Sequence, residues 1–214
     1  MKHSHTIESH PVPRETFEAT DRLLEDHEPT LEQYIDRLFW WNERVNLVSR
    51  SVSRETIWKH IRHSLLLTQF DPLHNSGRVV DAGTGGGLPG IPLAVVYPDK
   101  QFVLNDRVSK KILAVKQMVN TLELQNITVF DGSIARYSSP EPYLLITKHA
   151  FKVGQLWEMV RHHPWTTMAF YKGVEFEDEL QGIAEPLQIQ VWDLGPRSDD
   201  PFFRGKGLLF ISRT

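Results

Sequence analysis

The chain contains no cysteine among its 214 residues, so a disulfide framework, a thiolate zinc site and a cysteine nucleophile are all excluded. No apolar run approaches the ~18 residues that a membrane span needs, and the start, Met1 to Pro11, lacks an apolar signal core. These absences lead us to expect a cytoplasmic protein with no membrane partner. A large positive charge is also missing: 24 Lys and Arg stand against 27 Asp and Glu, for a net charge of −3. The distribution is uneven. Residues 1–36 carry nine acids and three Lys or Arg, whereas residues 37–63 carry six Lys or Arg and two acids. Nucleic-acid contact, if made, is expected on one local basic face. The histidines do not compensate as a metal site. His60 and His63 lie three apart and His162 and His163 are adjacent, but no third ligand set accompanies them, and no metal is expected. His60 is expected to pack between the helical region and the main domain.

What is present centres on Arg78-Val-Val-Asp-Ala-Gly-Thr-Gly-Gly-Gly-Leu-Pro-Gly-Ile-Pro92, a buried-strand pattern running into a glycine-rich turn. Phe102-Val-Leu-Asn-Asp106 follows, an apolar run ending in an acid 21 residues beyond Gly85. A strand, a glycine turn, a helix start and a carboxylate ending the next strand make a nucleoside-cofactor pocket. Gly85, Gly87 and Gly90 also fit the dinucleotide fingerprint, which leaves a nicotinamide or flavin oxidoreductase as an alternative. Asp81 at the mouth of the turn disfavours a pyrophosphate and suits a zwitterionic or cationic ligand such as S-adenosylmethionine.

Periodicity divides the chain into a flexible tail at 1–12, a helical region at 13–70 broken near Pro29, and a cofactor-binding domain at 71–214. Ser53 is the expected cap of a helix over 53–70. Strands are expected at 78–82, 101–105, 127–130, 143–147, 166–171, 187–193 and 207–212. Helices are expected from about Leu88 to Val96, at 108–122 and near 153–163, with a short acidic helix at 174–184. This alternation is α/β: a Rossmann-like doubly wound sheet, mostly parallel with an antiparallel edge, as in class I S-adenosylmethionine-dependent methyltransferases, plus N-terminal helices.

Asp81-Ala-Gly-Thr-Gly-Gly-Gly-Leu-Pro-Gly-Ile-Pro-Leu93 resembles the signature of the RsmG (GidB) family, the small-subunit rRNA guanine-N7 methyltransferases. Trp41-Asn-Glu-Arg-Val-Asn-Leu47, Lys59-His-Ile-Arg-His-Ser-Leu65, Asp106-Arg-Val-Ser-Lys-Lys-Ile112 and Tyr171-Lys-Gly173 are similar to further family motifs, in order, over roughly residues 38–212. The resemblance implies methyl transfer from S-adenosylmethionine to N7 of a guanine in small-subunit (16S) rRNA or a ribosomal subunit. It places Gly83, Gly85, Gly87 and Leu88 along the methionine part, Asp106 at the ribose, and Ile134 and Ala135 beside the adenine. Asp81 would orient the ammonium through water, with helix capping as its alternative role. A monomer is the default expectation.

The chain departs from the family pattern at five positions. Ala135 replaces an acid beside the adenine, Leu144 an Asp, His63 an Asp, and Lys148-His149 replaces Ser-Arg. His149 and Lys148 thereby become the candidate catalytic residues, His149 inheriting the place of the arginine at the active-site mouth. A strand continuing through them would point the two side chains to opposite faces. These changes also motivate a second class of function, a binding factor for RNA or the ribosome that holds S-adenosylmethionine without turnover. Lys110, Lys111, Lys172, Arg204 and Lys206 are candidate phosphate contacts, Lys172 the foremost. Phe202 and Phe203 are candidates for base stacking or for core packing.

Overall fold

The computed structural model describes residues 5–213. Its elements run β1 (Thr6–Pro11), α1 (Arg14–Asn42), α2 (Arg54–Leu65), α3 (Asp71–His74), β2 (Arg78–Ala82), α4 (Gly90–Val96), β3 (Gln101–Asp106), α5 (Ser109–Thr121), β4 (Ile127–Asp131), β5 (Tyr143–Lys148), α6 (Val153–Val160), β6 (Trp165–Gly173), β7 (Leu187–Asp193) and β8 (Lys206–Arg213). The eight strands form one sheet in the order β1-β7-β8-β6-β5-β2-β3-β4. All neighbours are parallel except those of β8, which runs antiparallel to both β6 and β7. This is the expected doubly wound sheet with an antiparallel turn towards one edge.

The central strands are continuous apolar runs because helices cover both faces. Val79, Val80, Leu144, Leu145, Ile146, Phe102 and Leu104 are all buried. One face of the sheet is covered by α1, α2, α4 and α5, the other by α6 and the segment around Phe176 and Leu180. Leu31, Tyr34, Ile35 and Leu38 recur at three and four residues along α1 and are fully buried. Tyr34 donates to the Gly86 carbonyl at 3.0 Å, pinning α1 to the glycine turn. Ser53 caps α2 as expected, accepting from the Thr56 amide at 3.1 Å.

Three expectations need correction. The break near Pro29 is absent, and α1 runs unbroken through it. Proline removes one helix hydrogen bond and crowds the carbonyl four residues back, here that of Glu25, on an exposed stretch that includes Asp26 and Glu28. Water can satisfy the freed carbonyl, while Phe17 on one side and Leu31 on the other are anchored in the core. The flexible tail expected over 1–12 is not what residues 6–11 form. They make β1, paired in parallel with β7 from Thr6–Gln188 to Pro11–Asp193, and residues 1–4 lie outside the described residues. All six positions of β1 are exposed, so backbone pairing holds the strand with little apolar patterning, as suits a charged, proline-ended edge. The acidic helix expected over 174–184 is a single 3₁₀ turn at Glu177–Leu180. No helix among the described residues is long and apolar enough to cross a membrane.

Candidate active site

The chain leaves β2 for β3 and β4 on one side and returns to β5 and β6 on the other, so strand order reverses between β2 and β5. In open α/β sheets, ligands bind at the carboxyl edge at such a reversal. The two strand ends deliver Asp81-Ala82-Gly83 and Lys148-His149 side by side, with Asp106 at the end of β3.

A cavity of about 590 Å³ opens there, lined by Gly83, Gly85, Asp106, Ile134, Lys148 and His149 among others. Asp106 is 8% exposed. Its Oδ2 accepts from the Gly85 amide at 3.1 Å and its Oδ1 from the Val108 amide at 2.9 Å, which leaves each oxygen with capacity for one further bond in a residue that lines the cavity. Gly83 sits at φ 73°, and a Cβ there would stand 2.5 Å from the Cβ of Ala150. Only glycine both adopts that backbone and leaves the floor open. Lys111 and Phe151 join the lining, and Asn105 donates to the Phe130 and Gly132 carbonyls at 2.9 and 2.8 Å, fixing the loop that carries Ile134.

A smaller cavity of about 250 Å³ abuts the first. It shares Leu47, Gly83, Gly85, Lys148 and His149 and adds Val48, Val52, Ile57, His60 and Leu88. Its walls are largely apolar, with polar side chains at Ser49, Thr84, His60, Lys148 and His149.

β5 ends at Lys148, and His149 turns into left-handed backbone at φ 55°. The turn breaks the alternation expected of a continuing strand, so both side chains line both cavities and do not face opposite ways. Burial brings the Lys148 ammonium down to about 7, against the pull of Asp81 and with the push of Lys206. Burial, with Lys148 next, lowers His149 to about 4 and His60 to about 3. Both imidazoles are therefore neutral at neutral pH. His63, fully buried against Tyr171 and Phe203, is held well below its ordinary value by burial.

Asp81 lines neither cavity. Its Oδ2 accepts from the Thr84 hydroxyl at 2.7 Å and from the Gly90 amide at 3.0 Å, which places it as the tie between the glycine turn and the start of α4. Burial raises its carboxyl to about 7 even though those two donors favour the charged form. Gly87, at φ 99°, lies against the Ile91 side chain and shapes the turn from outside the cavities. Leu88 reaches only the smaller one. Ala135 is exposed on the 3₁₀ turn at Ile134–Arg136, and only Ile134 of that pair lines the cavity.

Of the phosphate candidates, Lys172 is buried in an ion pair with Glu179, which also accepts from the Val153 amide at 2.8 Å. Lys206 bonds the Phe202 carbonyl and stands 4.1 Å over the Phe202 ring. Lys111 reaches the larger cavity, while Lys110 and Arg204 are exposed. Phe203 is fully buried against Phe17 at 5.4 Å, and core packing is its role. His60 and the loop residues Leu47, Val48 and Val52 were not legible as site residues. His60 was expected to pack between the helical region and the main domain, and it does, meeting Lys148 at the end of β5, but that expectation gave it no place in the site; the loop carries no periodic signal.

The family described as rRNA small subunit methyltransferase G matches residues 27–193. A "Ribosomal RNA small subunit methyltransferase G" of Chlorobium chlorochromatii (strain CaD3) is 48% identical over 174 residues, covering 80% of this chain and 70% of that protein. The protein of the same name from Chlorobium limicola (strain DSM 245 / NBRC 103803 / 6330) is 32% identical over 94% of this chain and 93% of its own length. That of Salmonella agona (strain SL483) is 33% identical over 78% and 81%. Among solved structures, the S-adenosylmethionine-dependent methyltransferase SibL in its apo form superposes with a TM-score of 0.54 at 14% identity, covering 74% of this chain and 56% of that one. The 23S rRNA methyltransferase ErmE superposes with a TM-score of 0.50 at 12% identity, covering 76% and 69%. At these identities the structures speak for the fold.

Proposed function

The chain belongs to the rRNA small subunit methyltransferase G family, and from that premise we propose that it transfers a methyl group from S-adenosylmethionine to N7 of a guanine in 16S rRNA. The observation that carries this reading is the pair of abutting cavities, one floored by Gly83 and Gly85 and flanked by Asp106, the other apolar, with Lys148 and His149 on their common wall. The oxidoreductase alternative raised by the glycine spacing gives way to family membership.

The residues fit the cofactor. The free lone pairs of Asp106 suit two vicinal ribose hydroxyls, Ile134 offers an apolar face to an adenine, and the open floor at Gly83 and Gly85 admits an amino-acid chain. When bound, S-adenosylmethionine supplies an electrophilic methyl on a sulfonium. The protein's own part is alignment. Guanine N7 carries an in-plane lone pair and needs no deprotonation, so no general base is required, and His149 and His60, lowered to about 4 and about 3, would be weak ones. Val48, Val52, Ile57 and Leu88 wall the smaller cavity and exclude water from a base placed against Lys148 and His149. Asp81 contributes at one remove, fixing the turn and setting a buried carboxylate near Lys148. The substrate implies a cytoplasmic protein, and we take the active species to be a monomer.

The test is transfer of labelled methyl to 16S rRNA from cells lacking this protein, with the modified base identified by mass spectrometry. N7-methylguanosine is expected. Absence of label from protein that binds S-adenosylhomocysteine would sink the catalytic reading in favour of a cofactor-holding RNA or ribosome factor.

A further inference from the structure

One contact on the common wall has no part in the reading above. Lys148 Nζ lies 2.7 Å from Nδ1 of His60, joining the end of β5 to the middle of α2. An ammonium carries three donors and no acceptor. In its charged form Lys148 therefore donates to Nδ1, which puts the proton of the neutral imidazole on Nε2. Phe202 packs against His60 at 5.1 Å with the rings near perpendicular, and Lys206 Nζ stands 4.1 Å from the centre of the Phe202 ring. The titratable and charged groups around Lys148 are Asp81 on β2, His60 and His63 on α2, His149 after β5 and Lys206 on β8. With one N–H engaged by His60, Lys148 has two donors left at the boundary of the cavities.

Guanine presents two acceptors, N7 and O6, on the edge that must face the methyl donor, whereas adenine presents an N6 amino donor beside its N7. We propose that Lys148 selects guanine by donating to O6, and that His60 is a positioning residue that aims the ammonium into the smaller cavity. This rests on the reading that the smaller cavity takes the target base. A bond to O6 leaves the N7 lone pair free for the methyl. Adenine in the same place would set its amino group against a donor-only ammonium, leaving buried donors without acceptors on both sides. A free lysine on a flexible stem would give a poorly directed donor, and the His60 contact removes that freedom.

The experiment uses the full chain, S-adenosylmethionine and unmodified 16S rRNA. It measures kcat and KM from pH 6 to 9, and RNA affinity in the presence of S-adenosylhomocysteine. Lys148→Met is expected to lower kcat/KM about 10- to 100-fold, the size of a lost base-edge contact, and to weaken RNA binding, with S-adenosylhomocysteine affinity changed less than about threefold. His60→Leu is expected to raise KM about 5- to 10-fold. His60→Asn, which returns an acceptor near the position of Nδ1, is expected to recover most of that loss. Lys148 loses its proton near pH 7, so the wild type is expected to lose efficiency as pH rises above that value. Lys148→Arg, charged throughout, is expected to lack this limb. Equal KM for His60→Leu and His60→Asn, or the same alkaline limb in Lys148→Arg, overturns this inference and leaves methyl transfer standing. Failure of the wild type to methylate RNA while binding S-adenosylhomocysteine overturns the function reading, and this inference falls with it.

Discussion

The Asp106 carboxylate, at the tip of β3, accepts a hydrogen bond from the backbone amide of Gly85 at 3.1 Å, so the acid that closes one strand also holds the glycine turn that follows another. The contact couples two jobs: shaping the turn and offering the remaining oxygen lone pairs to a ligand. Asp106→Ala removes both, and Asp106→Asn keeps the size while losing the charge and half the acceptor capacity. We expect S-adenosylhomocysteine affinity, measured by titration calorimetry, to fall by about 2–3 kcal/mol in Asp106→Ala and by about half as much in Asp106→Asn, from the usual worth of hydrogen bonds to charged groups. Unchanged affinity in both variants would remove Asp106 from the cofactor site.

Gly83 offers a sharper steric test. A Cβ there meets Ala150 at 2.5 Å and the Phe151 ring at 3.1 Å, at a φ of 73° that L residues rarely adopt. Gly83→Ala should therefore destabilise the fold by roughly 1–3 kcal/mol, the usual cost of overpacking or strained backbone, and should abolish cofactor binding at concentrations that saturate the wild type. Thermal unfolding with and without S-adenosylhomocysteine reads both effects. The wild type should gain stability from the ligand by mass action and the variant should not.

Burial of three histidines gives the protein a defined acid sensitivity. His60, His63 and His149 all have folded-state values below the ordinary 6.5, each chiefly through burial. Unfolding frees them to take up protons at pH values where the folded state does not. Their contribution is thus fully present above about pH 6.5 and is lost as pH falls towards the folded values of about 4 and 3 for His149 and His60. Lys148, lowered to about 7, acts in the same direction at higher pH, between its ordinary 10.5 and 7. Asp81, raised to about 7, acts oppositely, gaining stability as pH falls from 7 towards 3.8. With three groups against one, unfolding in urea should show lower stability at pH 5 than at pH 7.5. His63→Phe, which keeps an aromatic ring in a pocket where neither imidazole nitrogen has a partner, should shrink that difference. Equal stability at the two pH values would contradict the buried-neutral assignment.

The sequence made the central sheet legible because parallel strands buried on both faces read as unbroken apolar runs, as at 78–82, while the alternating pattern at 187–193 located that outer strand to the residue. The glycine turn and Asp106 were legible for a related reason: glycine and a strand-end acid are unusual enough in composition to announce a ligand. What escaped were the partners that individual side chains choose, distant and local alike. Nothing near residue 60 announces that His60 will meet Lys148, 88 positions later. Lys172 looked available at a strand end until the fold brought Glu179 to it. Asp81 was read as a ligand group with helix capping as its alternative, and its side chain takes the inward role, accepting from Thr84 and from Gly90 at the start of α4.

The first strand was missed for a different reason, and it supplies a last test. Thr6-Ile-Glu-Ser-His-Pro11 has no alternating apolar face, because one edge of β1 is bonded to β7 and all its side chains are exposed. Its attachments are the backbone ladder, the ring contact of His10 with Trp192 at 5.0 Å, and Val12, which is fully buried just beyond it. β1 is also the strand farthest from β4 in the sheet, with β7, β8, β6 and β5 between it and the glycine turn after β2. Removing residues 1–11 while keeping Val12 should therefore cost stability without touching the cofactor cavity. Net worths of about 0.5–1.5 kcal/mol per backbone hydrogen bond are offset by the entropy regained by a freed chain end. The loss should then be a few degrees in Tm with S-adenosylhomocysteine affinity unchanged. β7, newly exposed as an edge, should make the truncated protein more prone to self-association at high concentration, measurable by light scattering. A truncation that leaves Tm unchanged would show that β1 adds nothing to the sheet in solution. One that weakens cofactor binding would show that the two ends of the sheet are coupled.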